Sequence, residues 1–62
     1  MGQTLKRLRI AKGLSQYGLA KEANVSREYI RKLETGQSDP TVGMLQRLAI
    51  VLGVPLSAML EK

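Results

Sequence analysis

Residues 13–36, with the sequence GLSQYGLAKEANVSREYIRKLETG, decide the fold of this chain. Two stretches within this segment repeat apolar residues three or four positions apart, as helices do, and Asn24 separates them. Asparagine tolerates the left-handed backbone conformation that commonly ends a helix. A serine, Ser15 or Ser26, precedes each stretch and suits the N-cap position. The segment therefore predicts two short helices joined by a tight turn.

The rest of the chain shows the same pattern of apolar residues followed by glycine. Taken over the whole chain, the pattern predicts helices over residues 4–12, 16–23, 27–34, 42–52 and 56–61. No stretch alternates apolar and polar residues as a half-buried strand does, so the predicted fold is all-α, with five short helices. Helices of this length are marginal in isolation, and we expect one shared core to order them. The residues predicted to form that core are Leu5, Leu8, Leu14, Leu19, Val25, Ile30, Leu33, Leu45, Leu48, Leu52, Val54 and Leu60.

The composition argues against most enzymatic chemistry. The 62 residues include no cysteine and no histidine, which excludes disulfides and Cys/His zinc sites. The four serines have no histidine to activate them as nucleophiles. The length fits a single domain over residues 1–62 and offers no large pocket. We therefore expect no enzymatic activity, no cofactor, no metal and no small-molecule ligand.

The sequence contains no segment of the kind that crosses or is exported through a membrane. The longest apolar run, residues 48–52, is far shorter than the roughly 18 residues that a membrane span requires. The N-terminus has no apolar region typical of a signal peptide. We expect a cytoplasmic protein without a membrane partner.

The positive charge of the chain is concentrated in its first part. Ten Lys and Arg residues against five Asp and Glu residues give a net charge of +5. Residues 1–36 hold eight basic and three acidic residues, whereas residues 37–62 hold two of each. Such an excess on a small domain favours a polyanionic partner, with nucleic acid first. An ordinary solvated surface is the alternative interpretation of the same charges.

The turn between the second and third predicted helices has the length and composition of a helix-turn-helix turn. Ala20 is small where the second helix must approach the third, and Val25 can fill the corner between them. On the third helix, a rotation of about 100 degrees per residue puts Ile30 and Leu33 on one side. The opposite side carries Arg27, Glu28, Arg31 and Lys32. That side suits contact with DNA, or simply with solvent.

Residues 13–54 resemble the phage-repressor (XRE/Cro-like) helix-turn-helix family, and residues 5–9 resemble its first helix. The resemblance covers nearly the whole chain. It implies a compact five-helix, lambda-repressor-like domain, with the helix-turn-helix at residues 16–34 and a recognition helix at 27–34 that enters the major groove. The residues that carry it are Leu14-Ser15-Gln16, Leu19-Ala20, Val25-Ser26, Ile30, Leu33-Glu34 with Gly36, Pro40, and Leu48-Ala49 with Leu52-Gly53-Val54.

Position by position, the resemblance implies base contacts from Arg27, Glu28 and Lys32. Arginine and lysine donate to guanine, and glutamate accepts from the amine of cytosine, so we expect G·C pairs in the bound site. Glu28 and Lys32, four residues apart, also fit an ordinary surface ion pair. The implied contacts to the DNA backbone are Gln16, Tyr17, Arg31, Thr35 and Gln37.

Arg9 and Glu34 match a pair to which the resembling family gives a structural role. We expect this pair to fix the recognition helix against the first helix rather than to contact DNA. The family also has a glutamate where this chain has Gly18, so the second helix lacks the usual capping box with Ser15.

The expected function is that of a transcriptional regulator, a repressor first, that binds double-stranded DNA in a sequence-specific way. We expect a homodimer on a pseudo-palindromic operator. The alternative is a protein-interaction adaptor or antitoxin-like module with the same fold, which would respond little to salt. A membrane-surface peptide is disfavoured, because no continuous apolar stripe lies outside the core. The predicted dimer patch is Ile50, Val51, Val54, Pro55 and Met59.

Overall fold

A computed structural model of the protein describes residues 2–60. These residues contain helices and no strand, so the prediction of an all-α, five-helix fold is confirmed. The described part of the chain measures 24 × 23 × 19 Å. No helix within it is long and apolar enough to cross a membrane. The helices are α1 (Gly2–Ala11), α2 (Gln16–Ala23), α3 (Arg27–Thr35), α4 (Val42–Leu52) and α5 (Leu56–Met59).

The predicted helix starts are accurate where a side-chain cap marks them. The side chains of Ser15 and Ser26 accept hydrogen bonds from the backbone N–H groups of Gly18 and Tyr29, at 2.9 and 3.0 Å. These bonds satisfy backbone donors that a helix start otherwise leaves unpaired. Asn24 ends α2 in the left-handed conformation, with φ of 59°. The turn between α2 and α3 therefore forms as the sequence predicts.

Other helix ends differ from the prediction. α1 runs from Gly2 to Ala11 instead of from residue 4 to residue 12, and α3 extends one residue further, to Thr35. α5 ends at Met59 with Leu60 as its C-cap, so the predicted helix is too long at residue 60, and residue 61 lies outside the described residues. Differences of one or two residues are within the ordinary variation of helix ends.

One core lies between the helices, and most of its residues match the prediction. The largest errors are at the end of α5, where Met59 is 0% exposed and Leu60 is 62% exposed. Four predicted members are only partly buried against the core, and three buried alanines were not in the predicted list: Leu8, Leu14, Val25 and Val54, and Ala20, Ala23 and Ala49. α5 is a single turn, so a shift of one residue exchanges the side that packs with the side that faces solvent. The fully buried large side chains are Leu5, Leu19, Ile30, Leu33, Leu48 and Met59.

The contact between α1 and α3 is close enough to require a glycine. A Cβ atom on Gly2 would overlap the backbone carbonyl of Glu34 and would lie 2.9 Å from the carbonyl oxygen of Leu33. The start of α1 therefore rests directly on the last turn of α3. This packing explains why α1 begins earlier than the apolar pattern predicts.

Arg47 joins α4 to the end of α2. Its Nη1 donates a hydrogen bond to the carbonyl oxygen of Ala23, at 3.2 Å. Ala23 is the last residue of α2, where carbonyl groups have no partner within the helix and a cation is favourable. The sequence pattern did not predict this contact.

Candidate nucleic-acid interface

α2 and α3 approach each other through small side chains. Ala20 is 2% exposed and Ala23 is 0% exposed, while Val25 is half-buried between the two helices and packs against the core. The N–H of Val25 donates to the carbonyl of Ala20, at 2.9 Å, and closes the turn. These contacts fix the orientation of α3 relative to α2. The outer side of α3 stays exposed to solvent.

α3 has one buried side and one charged side. Ile30 and Leu33 are at most 1% exposed, whereas Arg27 and Glu28 are exposed. Arg31 and Lys32 are half-exposed and complete the charged side. All the predicted base contacts are therefore accessible to a ligand on the outside of the domain. Their role as base contacts stays a prediction.

Glu28 forms its ion pair with Arg31 and not with Lys32. Arg31 Nε lies 2.9 Å from Glu28 Oε1, and Arg31 Nη2 lies 2.5 Å from Glu28 Oε2. The predicted pair with Lys32 was wrong because a guanidinium three residues away matches both carboxylate oxygens, which a single ammonium does not. The hydrogen bond from Arg31 lowers the pKa of Glu28, and the same bond raises the pKa of Arg31.

The predicted pair of Arg9 with Glu34 is present and nearly buried. Arg9 Nε lies 2.6 Å from Glu34 Oε2, and the two side chains are 9% and 4% exposed. Arg9 Nη2 also donates to Glu34 Oε1, at 3.2 Å, and Nη1 donates to the carbonyl of Leu14, at 2.8 Å. Each guanidinium nitrogen thus has a partner, so the charge of Arg9 is compensated inside the protein.

Gln16 joins this pair from the start of α2. Its Nε2 donates to Glu34 Oε1, at 3.1 Å. The carboxylate of Glu34 therefore binds side chains from both α1 and α2, and the predicted phosphate contact Gln16 is held against the end of α3. No sequence signal predicts this bond, because its partners are 18 residues apart and either could face solvent instead.

The remaining predicted backbone contacts are exposed, at the start of α2 and at or just after the end of α3. Tyr17, in the first turn of α2, is 65% exposed. Thr35 and Gln37, at the end of α3, are also exposed, and the hydroxyl of Thr35 donates to the carbonyl of Lys32, at 3.3 Å. Their exposure is compatible with contact to a phosphate backbone.

The charges on the outer side of α3 are unevenly paired. Glu28 is bound by Arg31. Among residues 2–60, neither Arg27 nor Lys32 takes part in an ion pair. The guanidinium of Arg27 and the ammonium of Lys32 therefore remain available to an anionic ligand. The surface is therefore suited to bind a polyanion that also carries hydrogen-bond acceptors.

The predicted dimer patch is only partly at the surface. Ile50 is 81% exposed and Pro55 is exposed, whereas Val51 and Val54 are half-buried against the core. Met59 was wrongly included, since it is 0% exposed and belongs to the hydrophobic core. The exposed part of the patch is thus centred on Ile50.

The fold and this surface define a helix-turn-helix domain, and comparison with known proteins agrees. Residues 5–59 match the model of the helix-turn-helix family. The chain belongs to this family, as residues 13–54 predict.

Three similar proteins are informative. The immunity repressor protein of Bacillus phage phi105 is 36% identical over 58 residues, which cover 94% of this chain and 40% of the repressor. The chain thus spans less than half the length of that relative. The structure of the biofilm regulator SinR in complex with DNA superposes with a TM-score of 0.91, at 31% identity and 97% coverage of both chains. The restriction-modification controller protein C.AhdI of Aeromonas hydrophila gives a TM-score of 0.90, at 36% identity, over 94% of this chain and 88% of that one.

Proposed function

We propose that this chain binds double-stranded DNA in a sequence-specific way and acts as a transcriptional repressor. The observation that carries the proposal is the charged outer side of α3, where Arg27 and Glu28 are exposed and Arg31 and Lys32 are half-exposed. The similarity to a phage immunity repressor and to a regulator solved on DNA supports the same function.

In this proposal, α3 lies in the major groove and its outer residues contact base edges. Arg27 and Lys32 donate to guanine, and Glu28 contributes to the recognition of a G·C pair. Gln16 lies at the N-terminus of α2, where backbone N–H groups and the helix dipole favour a phosphate. Occupation of the operator then blocks access to the DNA beneath it.

Two copies of the chain are proposed to bind together. One small domain makes limited contact with DNA, so useful affinity requires two half-sites about 34 Å apart on a pseudo-palindrome. The exposed apolar surface around Ile50 and Pro55, flanked by Val51 and Val54, is the proposed contact between the copies.

Selection from a randomised duplex pool tests the proposed function. The protein is expected to enrich a motif with dyad symmetry, and its affinity for that duplex is expected to fall steeply as salt rises. Failure to enrich any motif, together with affinity that does not depend on salt, would overturn the proposal. That outcome would favour a protein-interaction adaptor, whose interface would be apolar and centred on Ile50.

Two substitutions test the assignment of contacts. Arg27→Ala is expected to cost about 1–3 kcal/mol of binding free energy on the selected duplex and to relax preference at one position. Gln16→Ala is expected to weaken binding to all duplexes more evenly, because a phosphate contact carries no base information. Fluorescence anisotropy with matched and mismatched duplexes measures both effects. Unchanged binding by both variants would contradict the placement of α3 in the groove.

A further inference from the structure

The ion pair between Glu28 and Arg31 leaves part of the guanidinium available. Glu28 Oε1 and Oε2 accept from Arg31 Nε and Nη2, at 2.9 and 2.5 Å, so the carboxylate lies along the side of the guanidinium. This contact uses the Nε–H and one Nη2–H. The Nη1–H groups and the second Nη2–H point away from Glu28 and form the end of the arginine fork.

The unused end of the fork has the geometry that guanine requires. Arginine contacts guanine with two parallel hydrogen bonds to O6 and N7, which the Nη1 and Nη2 atoms donate together. A side chain already held in one orientation loses less conformational entropy on binding than one that moves freely. Arg27 and Lys32 have no such ion pair among residues 2–60. Arg31 is thus the cation on this surface that the protein orients in advance.

The same contact limits what Glu28 can do by itself. Both carboxylate oxygens accept from Arg31, and turning one toward the amine of cytosine would break the two-bond arrangement. An uncompensated carboxylate beside DNA phosphates would also be repelled, whereas one paired with Arg31 has its charge balanced. Glu28 is therefore better placed to hold Arg31 than to contact a base directly.

We propose that Arg31 contacts a guanine base in the major groove and that Glu28 is a positioning residue that orients Arg31 for this contact. The pair then acts as one specificity-determining unit, and Arg31 is not merely a contact to the DNA backbone. The inference rests on the proposed function and adds to it the identity of the side chain that specifies one G·C pair.

The test compares base preference among variants. The probes are the duplex selected by the unaltered protein, its single base-pair substitutions, and the same duplex with 7-deazaguanine, which lacks the N7 acceptor, at each guanine in turn. The variants are Arg31→Ala, Arg31→Lys, Glu28→Ala and the double variant. Lys21→Ala, an exposed residue in the last turn of α2, is the matched control for loss of one positive charge. Circular dichroism melting establishes that every variant is folded.

We expect Arg31→Ala to lower discrimination at one G·C pair by about 5- to 150-fold and to become insensitive to 7-deazaguanine there. Arg31→Lys keeps the charge but loses the fork, so it is expected to lose the same preference. Glu28→Ala is expected to lose part of the preference at that same pair, and the double variant to be no worse than Arg31→Ala. Lys21→Ala is expected to keep all base preferences.

Other outcomes overturn the inference in distinguishable ways. If Arg31→Ala weakens all duplexes equally and lowers the salt slope by about one, Arg31 is a phosphate contact. If Glu28→Ala alters a different base pair, with effects additive to those of Arg31→Ala, Glu28 contacts a base itself. In both cases the unaltered protein still selects a motif, and the proposed function stands. If the unaltered protein selects none, the proposed function fails as well.

Discussion

The two ion pairs of α3 have the same chemistry and opposite surroundings. Arg9 and Glu34 are 9% and 4% exposed and connect α3 to α1, whereas Arg31 and Glu28 are 40% and 59% exposed and lie within α3. A buried pair is costly to break, because the remaining charge has lost its solvent. An exposed pair contributes little to stability and stays open to a ligand. The buried pair therefore holds α3 against α1, and the exposed pair is the one to which the proposal above gives a part in binding.

The largest expected effect comes from breaking the buried pair. Arg9→Met leaves the carboxylate of Glu34 buried, with Gln16 as its remaining side-chain partner among residues 2–60, and is expected to cost about 3–5 kcal/mol of unfolding free energy. In a domain this small, such a loss removes much of the total stability. Urea denaturation followed by circular dichroism measures it.

The control for that experiment removes both charges. The double variant Arg9→Met/Glu34→Leu is expected to recover much of the loss, since no buried charge remains without a partner. An unchanged unfolding midpoint for Arg9→Met would show that solvent screens the pair of Arg9 with Glu34. The two ion pairs of α3 would then not differ in their contribution to stability.

The next effect tests how rigidly the same end of α3 is packed. Gly2→Ala places a methyl group against the carbonyl of Glu34 and is expected to destabilise the domain by about 1–3 kcal/mol. Gly43→Ala in α4 is the matched control, because the nearest atom to its added Cβ would be Thr41 Oγ1, at 3.9 Å. That variant is expected to stabilise by up to about 1 kcal/mol. Equal effects of the two substitutions would refute the close contact.

Arg47 offers a case between the two ion pairs, since it is a charged donor to a neutral carbonyl. Arg47→Met removes the hydrogen bond to Ala23 and is expected to cost about 1 kcal/mol. Gln46→Ala, at a neighbouring exposed position on α4, is expected to change stability by less than about 0.5 kcal/mol. Thermal melts of both variants give the comparison. Identical melting temperatures would mean that the hydrogen bond to Ala23 does not stabilise the domain.

The smallest effect is expected from the exposed pair. The pKa of Glu28 is lowered from its ordinary value of 4.5 by the hydrogen bond from Arg31. Its contribution to stability is therefore complete above that value and is lost as the pH falls through the lower, folded-state pKa. Melting temperatures of the unaltered protein and Glu28→Gln, measured from pH 7 to pH 3, are expected to differ slightly at neutral pH and to converge in acid. A difference in melting temperature that stays constant over this pH range would contradict the contribution of the Glu28 carboxylate to stability.

Much of the candidate interface could be predicted because its signals are local. Ser15, Ser26 and Asn24 act on backbone groups within a few residues of themselves, so their effects follow from sequence alone. The spacing of Ile30 and Leu33 likewise fixes which side of α3 is buried and which carries the charges. The pair of Arg9 with Glu34 was predicted through the family resemblance and not from any local signal.

Tertiary structure decided the features that join distant parts of the chain. The hydrogen bonds of Gln16 to Glu34 and of Arg47 to Ala23 span 18 and 24 residues, and no local sequence pattern predicts either of them. The burial of Met59 depends on the angle at which one short turn meets the core. The sequence by itself determined which helices form and what α3 exposes, because those depend on neighbours along the chain. Only packing between helices determined which polar side chains are bound within the protein and which remain available to a partner.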